Sequence, residues 1–200
     1  MIVRFPFPCI ALQVELLEES TGRTLPCFIA VSVASEDGTT YGALYPVDAP
    51  VSLAVMQDER LVPIPSELET DDCIAAAVEV CAQSNIELVR TPVVLTARGP
   101  GLELVDGDAE ALELGLDADE EDTEEALVLA EFVHDGNEIL VVQTLDPLYV
   151  VGRKTEDRIF VVPTDKEVEE VSDPIEQLVA EFEDAFEDDD EDDDFDDFDV

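Results

Sequence analysis

The sequence is poor in the residues that bind nucleic acid or a transition metal. Its 200 residues include one histidine and nine lysines and arginines, against 52 aspartates and glutamates, for a formal net charge of −43. Phosphate contacts need clusters of lysine and arginine, and zinc sites are built from histidines and closely spaced cysteines. The four cysteines contain no Cys-x-x-Cys pair. We therefore predict no direct nucleic-acid binding, no metal site and no cofactor, and we expect buried thiols.

Long apolar stretches are also missing. No run reaches the roughly 18 to 20 apolar residues that a membrane span requires. The opening MIVRFPFPCIALQVELLEES is interrupted by Arg4 and two prolines, so it does not match a secretory leader. We expect no membrane span and a cytoplasmic location. Because 46% of the residues are hydrophobic, the chain has enough apolar material to fold around a core.

Catalytic constellations are absent as well. His134 lies directly before Asp135-Gly136, where a solvated turn position is expected rather than a general base. The common serine and cysteine triads have no partner unless this histidine serves. The segment ARGPGLE lacks the pattern of a phosphate-binding loop, and DGDAEALELGLD lacks the glycine and final glutamate of a calcium-binding loop. We predict a protein without catalytic residues that is not an enzyme.

The acidic residues are concentrated in two segments. Residues 106–125 hold 11 of them and residues 181–200 hold 14, so these two segments contain 25 of the 52. We predict an acidic linker over residues 106–125 and a disordered acidic tail over residues 187–200. The tail is either a solvating segment or an interaction arm, in which Phe195 and Phe198 are apolar anchors and the carboxylates steer the encounter with a basic surface.

A weak internal repeat appears when residues 27–68 are aligned without a gap on residues 125–166, an offset of 98. Asp37-Gly38 then falls on Asp135-Gly136, and both lie between strand-like apolar runs, which is typical of a tight hairpin. We predict an α+β fold of two related units, each a small antiparallel β-meander followed by a helix. The units cover residues 1–105, with extra strands, and residues 126–186.

Both units show a helix-capping pattern after their last predicted strand. The pairs are Ser66 with Glu69 and Thr164 with Glu167, in which hydroxyl and carboxylate satisfy free backbone N–H groups. The first helix is predicted over DDCIAAAVEVCAQS and the second from about Pro174. Their apolar faces either pack on the unit's own sheet or dock a partner. The candidate partner-binding residues are Phe182, Phe186, Phe195 and Phe198.

The duplicated pattern also suggests a family. EDGTTYGALYPVDAP and HDGNEILVVQTLDPLYVVGR, each followed by Pro-Ser/Thr-x-x-Glu and a helix, resemble acidic cyanobacterial and plastid proteins of a domain of unknown function, number 3727. The second copy alone also resembles the small bacterial YrzB-type domain of unknown function. The resemblance spans roughly residues 10–186. It implies a cyanobacterial or plastid setting, the stroma in a photosynthetic eukaryote, and it implies no catalytic residue.

These observations favour a non-enzymatic acidic protein that binds another protein, as an accessory or assembly factor. The partner is expected to have a basic surface. Two alternatives remain at this point: a nucleic-acid mimic that binds a basic protein, and a weak divalent cation binder. An unrecognised enzyme would require carboxylates converging on His134 in a deep pocket.

Overall fold

The fold is α+β and consists mainly of β-strands. A computed structural model describes residues 12–35, 37–57, 60–64, 69–105, 112–115 and 123–187. The strands are β1 Gln13–Leu17, β2 Thr24–Ala34, β3 Thr40–Pro46, β4 Ala49–Gln57, β5 Arg60–Pro63, β6 Glu87–Arg90, β7 Leu95–Arg98, β8 Leu112–Gly115, β9 Thr123–His134, β10 Asn137–Thr144, β11 Val150–Glu156 and β12 Ile159–Val161. The helices are α1 Asp71–Gln83, α2 Pro100–Val105 and α3 Asp165–Glu187.

Five strands close into a barrel, here called the first ring. Its order is β1-β12-β11-β3-β2, and β2 pairs back onto β1. Leu16, Leu25, Leu44 and Phe160 fill its interior and are fully buried. The interior is therefore a packed core rather than a cavity.

The other strands form a seven-stranded sheet of order β10-β9-β8-β5-β4-β7-β6. This sheet curls, because β10 pairs with β4 as well as with β9. Strands β8, β5, β4, β10 and β9 thus form a second ring of pairings, here called the second ring. Leu61, Leu114 and Val142 are among the buried residues of its interior, and the β6–β7 hairpin extends the sheet beyond β4.

Each ring takes strands from both halves of the chain, and the predicted meanders are therefore wrong. Only Val47 and Asp48 separate β3 from β4, yet β3 pairs with β11 in the first ring and β4 pairs with β10 in the second. All but the first residue of β3 are buried. A strand buried on both faces has no polar face to fix its neighbour, so its sequence does not show which strand it will pair with.

The two rings have the same strand order and matching registers. The first ring has the order β1-β12-β11-β3-β2, and the second ring has the order β8-β5-β4-β10-β9. Strands at the same place in the two orders correspond to each other. Leu44 of β3 pairs with Val150 of β11. The positions 98 residues away, Val142 of β10 and Ser52 of β4, also pair with each other.

A β-bulge also recurs at the matching place. It interrupts β2 against β3 between Ile29 and Val31, and it interrupts β9 against β10 opposite Val141 and Val142. The second hairpin turn is shorter, so β2 and β9 correspond at an offset of 99 rather than 98. The gapless alignment is one residue out of step in this strand.

The two Asp-Gly turns differ in length and in backbone conformation. Asp135 and Gly136 both have positive φ, 48° and 82°, as predicted for a tight two-residue hairpin turn. In the first Asp-Gly pair, Gly38 has positive φ, at 87°, and Asp37 does not; the Ser35 N–H donates to the Thr39 carbonyl across a longer loop. A tight turn was therefore correct for the second hairpin and wrong for the first.

The predicted acidic linker contains a strand. Within residues 106–125, β8 pairs with β5 and with β9, and its Leu114 is buried in the second ring. Residues 106–111 and 116–122 lie outside the described residues, as do residues 188–200 of the predicted tail. The last helix reaches Glu187.

The helix starts correct two further predictions. Thr70, not Ser66, caps α1, because its hydroxyl accepts a hydrogen bond from the Cys73 N–H at 3.2 Å. Ser66 lies outside the described residues. Helix α3 begins at Asp165 and includes Pro174, which was predicted to be near its start. The Thr164 capping pattern is confirmed and places the true start nine residues earlier.

Candidate functional site

Helix α3 packs on the outer face of the first ring and forms one wall of a groove. Val171 and Ile175 are buried against Tyr41 and Ala43 of β3, with Val31 of β2 beside them. These apolar helix positions recur at three- and four-residue spacing, which directs one face of α3 onto the sheet. The packing fixes the helix across β2 and β3.

The start of α3 is tied to the ring by one carboxylate. Glu167 accepts hydrogen bonds from the Thr164 N–H at 2.9 Å and hydroxyl at 2.8 Å. Its other oxygen, Oε1, accepts a hydrogen bond from the Tyr41 hydroxyl at 3.2 Å. The Arg153 Nε is buried and lies 3.3 Å from the same oxygen, in an ion pair without hydrogen-bond alignment. Glu167 therefore connects the N-terminal cap of α3 to Tyr41 of β3 and to Arg153 of β11.

This arrangement stabilises the charged form of the carboxylate. The hydrogen bonds from the Thr164 N–H and hydroxyl hold the pKa of Glu167 below its ordinary value, and the Arg153 guanidinium acts in the same direction. Burial raises the pKa of the Tyr41 hydroxyl, and the negative charge of Glu167 adds to the shift. The cluster anchors the helix; it holds no free nucleophile or base.

The groove, here called the α3 groove, runs beside the helix on the side of β11. Its volume is about 380 Å³. Seven of its lining residues are apolar or aromatic, and the others are Ser172 and Glu176. The lining comprises Ala43, Tyr149, Val151, Val168, Ser172, Ile175, Glu176, Val179 and Ala180. Tyr149, Val151 and Val179 are only half-buried, so apolar side chains of the groove remain partly in contact with solvent.

One carboxylate, that of Glu176, lines the α3 groove, and the exposed surface of α3 is acidic. The exposed carboxylates on the described side chains of α3 belong to Asp165, Glu169, Glu170, Asp173, Glu176 and Glu181. On the described part of this helix the one basic side chain is Lys166, which pairs with Glu170 at 3.4 Å. An apolar depression beside an acidic helix surface favours a ligand that combines apolar and basic groups.

The predicted partner-binding phenylalanines are only partly placed. Phe182 is half-buried on α3, one turn beyond Leu178, and it is not among the residues that line the groove. Phe186 lies in α3, but its side chain is outside the described residues, and so are Phe195 and Phe198. Phe182 and Phe186 belong to the helix that forms one wall of the groove. Tyr149 and Val151 of the other wall were not predicted, because they lie in a loop and a strand 16 and 14 residues before the start of α3.

A separate, wider cavity lies on the second ring. It measures about 790 Å³ and is lined in part by Met56, Glu131 and Glu138. A hydrogen bond with Glu138 raises the pKa of Glu131, since two adjacent carboxylates share a proton more readily than they both ionise. Both side chains are exposed. The pair has no histidine, lysine or metal ligand among the lining residues described.

The cysteines and the single histidine are the other reactive side chains within the described ranges. Burial raises the pKa of the Cys27 thiol to about 12 and that of Cys81 to about 11, which disfavours the nucleophilic thiolate. His134 ends β9 beside the turn and lies 3.7 Å from the carboxylate of its neighbour Asp135. The described residues contain no cluster of three or more metal-ligating side chains.

Among the described residues, no helix has the length and apolar character needed to cross a membrane.

Fold and site together define an α+β protein of two β-rings, each built from strands of both halves of the chain, with an apolar groove beside its last helix. The sequence profile of the family described as "Protein of unknown function (DUF3727)" matches residues 85–185, and the chain belongs to this family. The matched range contains most of α3 and the Tyr149–Val151 wall of the groove. No curated protein and no solved structure matches the chain.

Proposed function

We propose that this protein is a non-enzymatic, acidic accessory or assembly factor that binds another protein at the α3 groove. The observation that carries the proposal is the groove itself, where half-buried apolar side chains of β11 and α3 face an open space of about 380 Å³. A concave apolar surface with few polar groups is the usual form of a binding site. The partner presents apolar side chains to the groove and basic side chains to its border.

Electrostatics is proposed to accelerate the encounter. The chain has a net charge of −43, and Glu176, which lines the groove, is one of several exposed carboxylates of α3. Such a field raises the association rate with a basic surface, and salt weakens the effect. The acidic segments 106–125 and 188–200 extend this field in the proposal, and Phe195 and Phe198 are its candidate tail anchors.

We further propose that the two halves are copies of one unit that exchange strands. The equal strand order of the two rings, the matching pairs Leu44–Val150 and Val142–Ser52, and the recurring β-bulge support this duplication. In each copy, the first three strands (β1, β2 and β3, or β8, β9 and β10) join one ring, and the next two (β4 and β5, or β11 and β12) join the other. The cyanobacterial or plastid setting is part of the same proposal, and it rests on the resemblance of the sequence pattern alone.

Affinity capture with groove variants tests the binding proposal. Ser172→Trp fills the groove from its helix wall, and Ala180→Trp covers its mouth. Gln177→Trp is the matched control, because Gln177 is exposed on the same helix and does not line the groove. We expect one or more proteins to be captured by the wild type and the control and lost from both groove variants.

Each variant is first checked for a wild-type circular dichroism spectrum and unfolding midpoint. Capture that is equal for all four proteins would show that the groove is not the binding site.

The role of the tail in electrostatic steering is tested with a chain that ends at residue 187. This chain should keep its partner and lose part of the salt dependence of association; an unchanged salt dependence would exclude a role for the tail.

A further inference from the structure

The surface beside α1 corresponds to the α3 groove, and the segment that covers it indicates what kind of ligand the groove can bind. Positions 98 residues apart surround the two helices in the same way. On the helices, the buried residues Cys73, Ala77 and Cys81 of α1 match Val171, Ile175 and Val179 of α3. On the sheets, Val51, Leu53 and Val141 match Tyr149, Val151 and Ala43.

Beside α1 this space is filled by the chain's own β6–β7 hairpin. Ile86, Leu88, Leu95 and Ala97 are buried in the same core cluster as the residues around α1. Strand β7 also pairs with the first three residues of β4. The apolar face of the hairpin lies against the helix and sheet, and one edge of the hairpin extends the sheet.

Beside α3 no described strand or helix takes this place. The consequence is visible in burial: Val51, Leu53 and Cys81 are 2%, 3% and 0% exposed, whereas their counterparts Tyr149, Val151 and Val179 are all half-buried. The α3 groove is thus the site that a hairpin occupies in the other half of the molecule.

The ion pairs of the hairpin have counterparts too. Arg90 at the end of β6 pairs with Asp71 at the start of α1, and Arg98 at the end of β7 lies 3.7 Å from Asp48. The positions 98 residues further on are Glu169 and Asp146, which are again acidic and are exposed.

No basic residue of the described ranges forms an ion pair with either of these two carboxylates. Two acids therefore stand beside the α3 groove at the positions where, in the other half, the arginines of a hairpin are bound.

We infer that the α3 groove receives a β-hairpin of the partner protein, apolar towards α3 and carrying a basic residue opposite Glu169 and another opposite Asp146. This inference rests on the proposed function and specifies its partner. The added hairpin covers Tyr149, Val151 and Val179 as β6–β7 covers their counterparts, a case of β-augmentation combined with groove filling. The apolar shape of the groove and the carboxylates of Glu169 and Asp146 together select this hairpin.

A peptide copied from the chain provides the probe. Residues 86–98, IELVRTPVVLTAR, form the hairpin with its turn and both arginines. A short isolated hairpin is marginally stable in water, so the peptide is made as a backbone-cyclised form whose strand content is verified by circular dichroism. Its binding to the full chain is measured by fluorescence anisotropy at low salt.

We expect saturable binding that falls at least tenfold in Ser172→Trp and in Ala180→Trp and is unchanged in Gln177→Trp. Glu169→Lys and Asp146→Lys should each weaken binding about two- to fivefold, the range for exposed ion pairs. A peptide with Arg90→Glu should regain affinity for the Glu169→Lys chain and not for Asp146→Lys, which fixes the orientation.

Three results would overturn the inference. One is a folded peptide that does not bind, and another is binding that the two groove variants leave intact, as expected if the peptide only displaces the chain's own hairpin beside α1. The third is binding that appears only after residues 1–11 or 188–200 are removed, because the groove would then belong to that segment. Groove-dependent capture of a protein without peptide binding would reject the hairpin and leave the proposed function standing.

Discussion

Leu16 and Leu61 come from the same half of the chain but lie in different rings. Leu16 in β1 belongs to the core of the first ring and Leu61 in β5 to that of the second, and both are 0% exposed. Replacing a fully buried leucine by alanine costs about 2–5 kcal/mol through lost burial and a residual cavity. Each ring contains strands of both halves of the chain, so neither ring is complete unless both halves are folded. We therefore expect Leu16→Ala and Leu61→Ala to lower the same unfolding transition.

Native-state hydrogen exchange, read by mass spectrometry of peptides from both rings, is the assay. In either variant, the slowest amides of β3 in the first ring and β10 in the second should exchange faster by a common factor. A loss of 2–5 kcal/mol corresponds to about 30- to 4,000-fold. Leu12→Ala is the matched control, because Leu12 is 45% exposed and should change stability by no more than about 0.5 kcal/mol. Faster exchange confined to the ring that carries the substitution would refute the shared transition.

Three further predictions concern individual residues. The lowered pKa of Glu167 contributes stability that is present above the ordinary carboxyl pKa of 4.5 and is lost as pH falls through the folded-state pKa. In denaturant titrations below pH 4.5, the unfolding free energy of Glu167→Gln should therefore fall less steeply with decreasing pH than that of the wild type. An equal slope in both proteins would contradict this. Cys27 and Cys81 should resist a thiol reagent at pH 8 until urea unfolds the chain, as followed by peptide mass spectrometry, because burial raises their pKa values to about 12 and about 11. Thr70→Ala should cost about 1 kcal/mol of unfolding free energy, while Ser66→Ala should cost less than about 0.5 kcal/mol; the reverse order would restore the predicted cap.

Local features of this fold were predictable from the sequence because they depend on a few neighbouring residues. The Asp135-Gly136 turn, the capping pair Thr164 and Glu167 and the apolar stripe of the last helix need only positive φ, a hydroxyl, a carboxylate and helical spacing. All three are present in the structure. The predicted start of α3 is nine residues too late, because proline is common in the first turn of a helix and Pro174 fits that pattern. The capping pair begins at Thr164, ten residues before this proline.

The exchange of strands was not predictable in the same way. Strand pairing joins residues more than 80 positions apart, such as Gly42 and Gly152, and the apolar runs of β3 and β4 fit many partners. One detail shows what does select the pairing: a Cβ on Gly152 would lie 2.7 Å from Leu44 Cδ1 and 3.0 Å from Phe160 Cβ. The glycine leaves space for the ring of Phe160 in the closed barrel. Such complementarity exists only in the assembled core.

The sequence following each of the two main helices differs in a way that bears on the groove. Residues 86–98 follow the first helix and form a hairpin, whereas residues 188–200, after the second helix, are mostly acidic. Within the ranges that the structure describes, no hairpin covers the apolar wall beside α3. The identity of the walls, Tyr149 and Val151 facing Val179, depends on the strand exchange and required the structure.

Hydrogen–deuterium exchange of the full chain, alone and in complex with the protein captured through it, tests the central claim most directly. The account predicts protection on complex formation in two stretches, residues 146–151 and residues 168–180, which form the two walls of the α3 groove. Unchanged exchange in both stretches, with protection elsewhere on the chain, would contradict it.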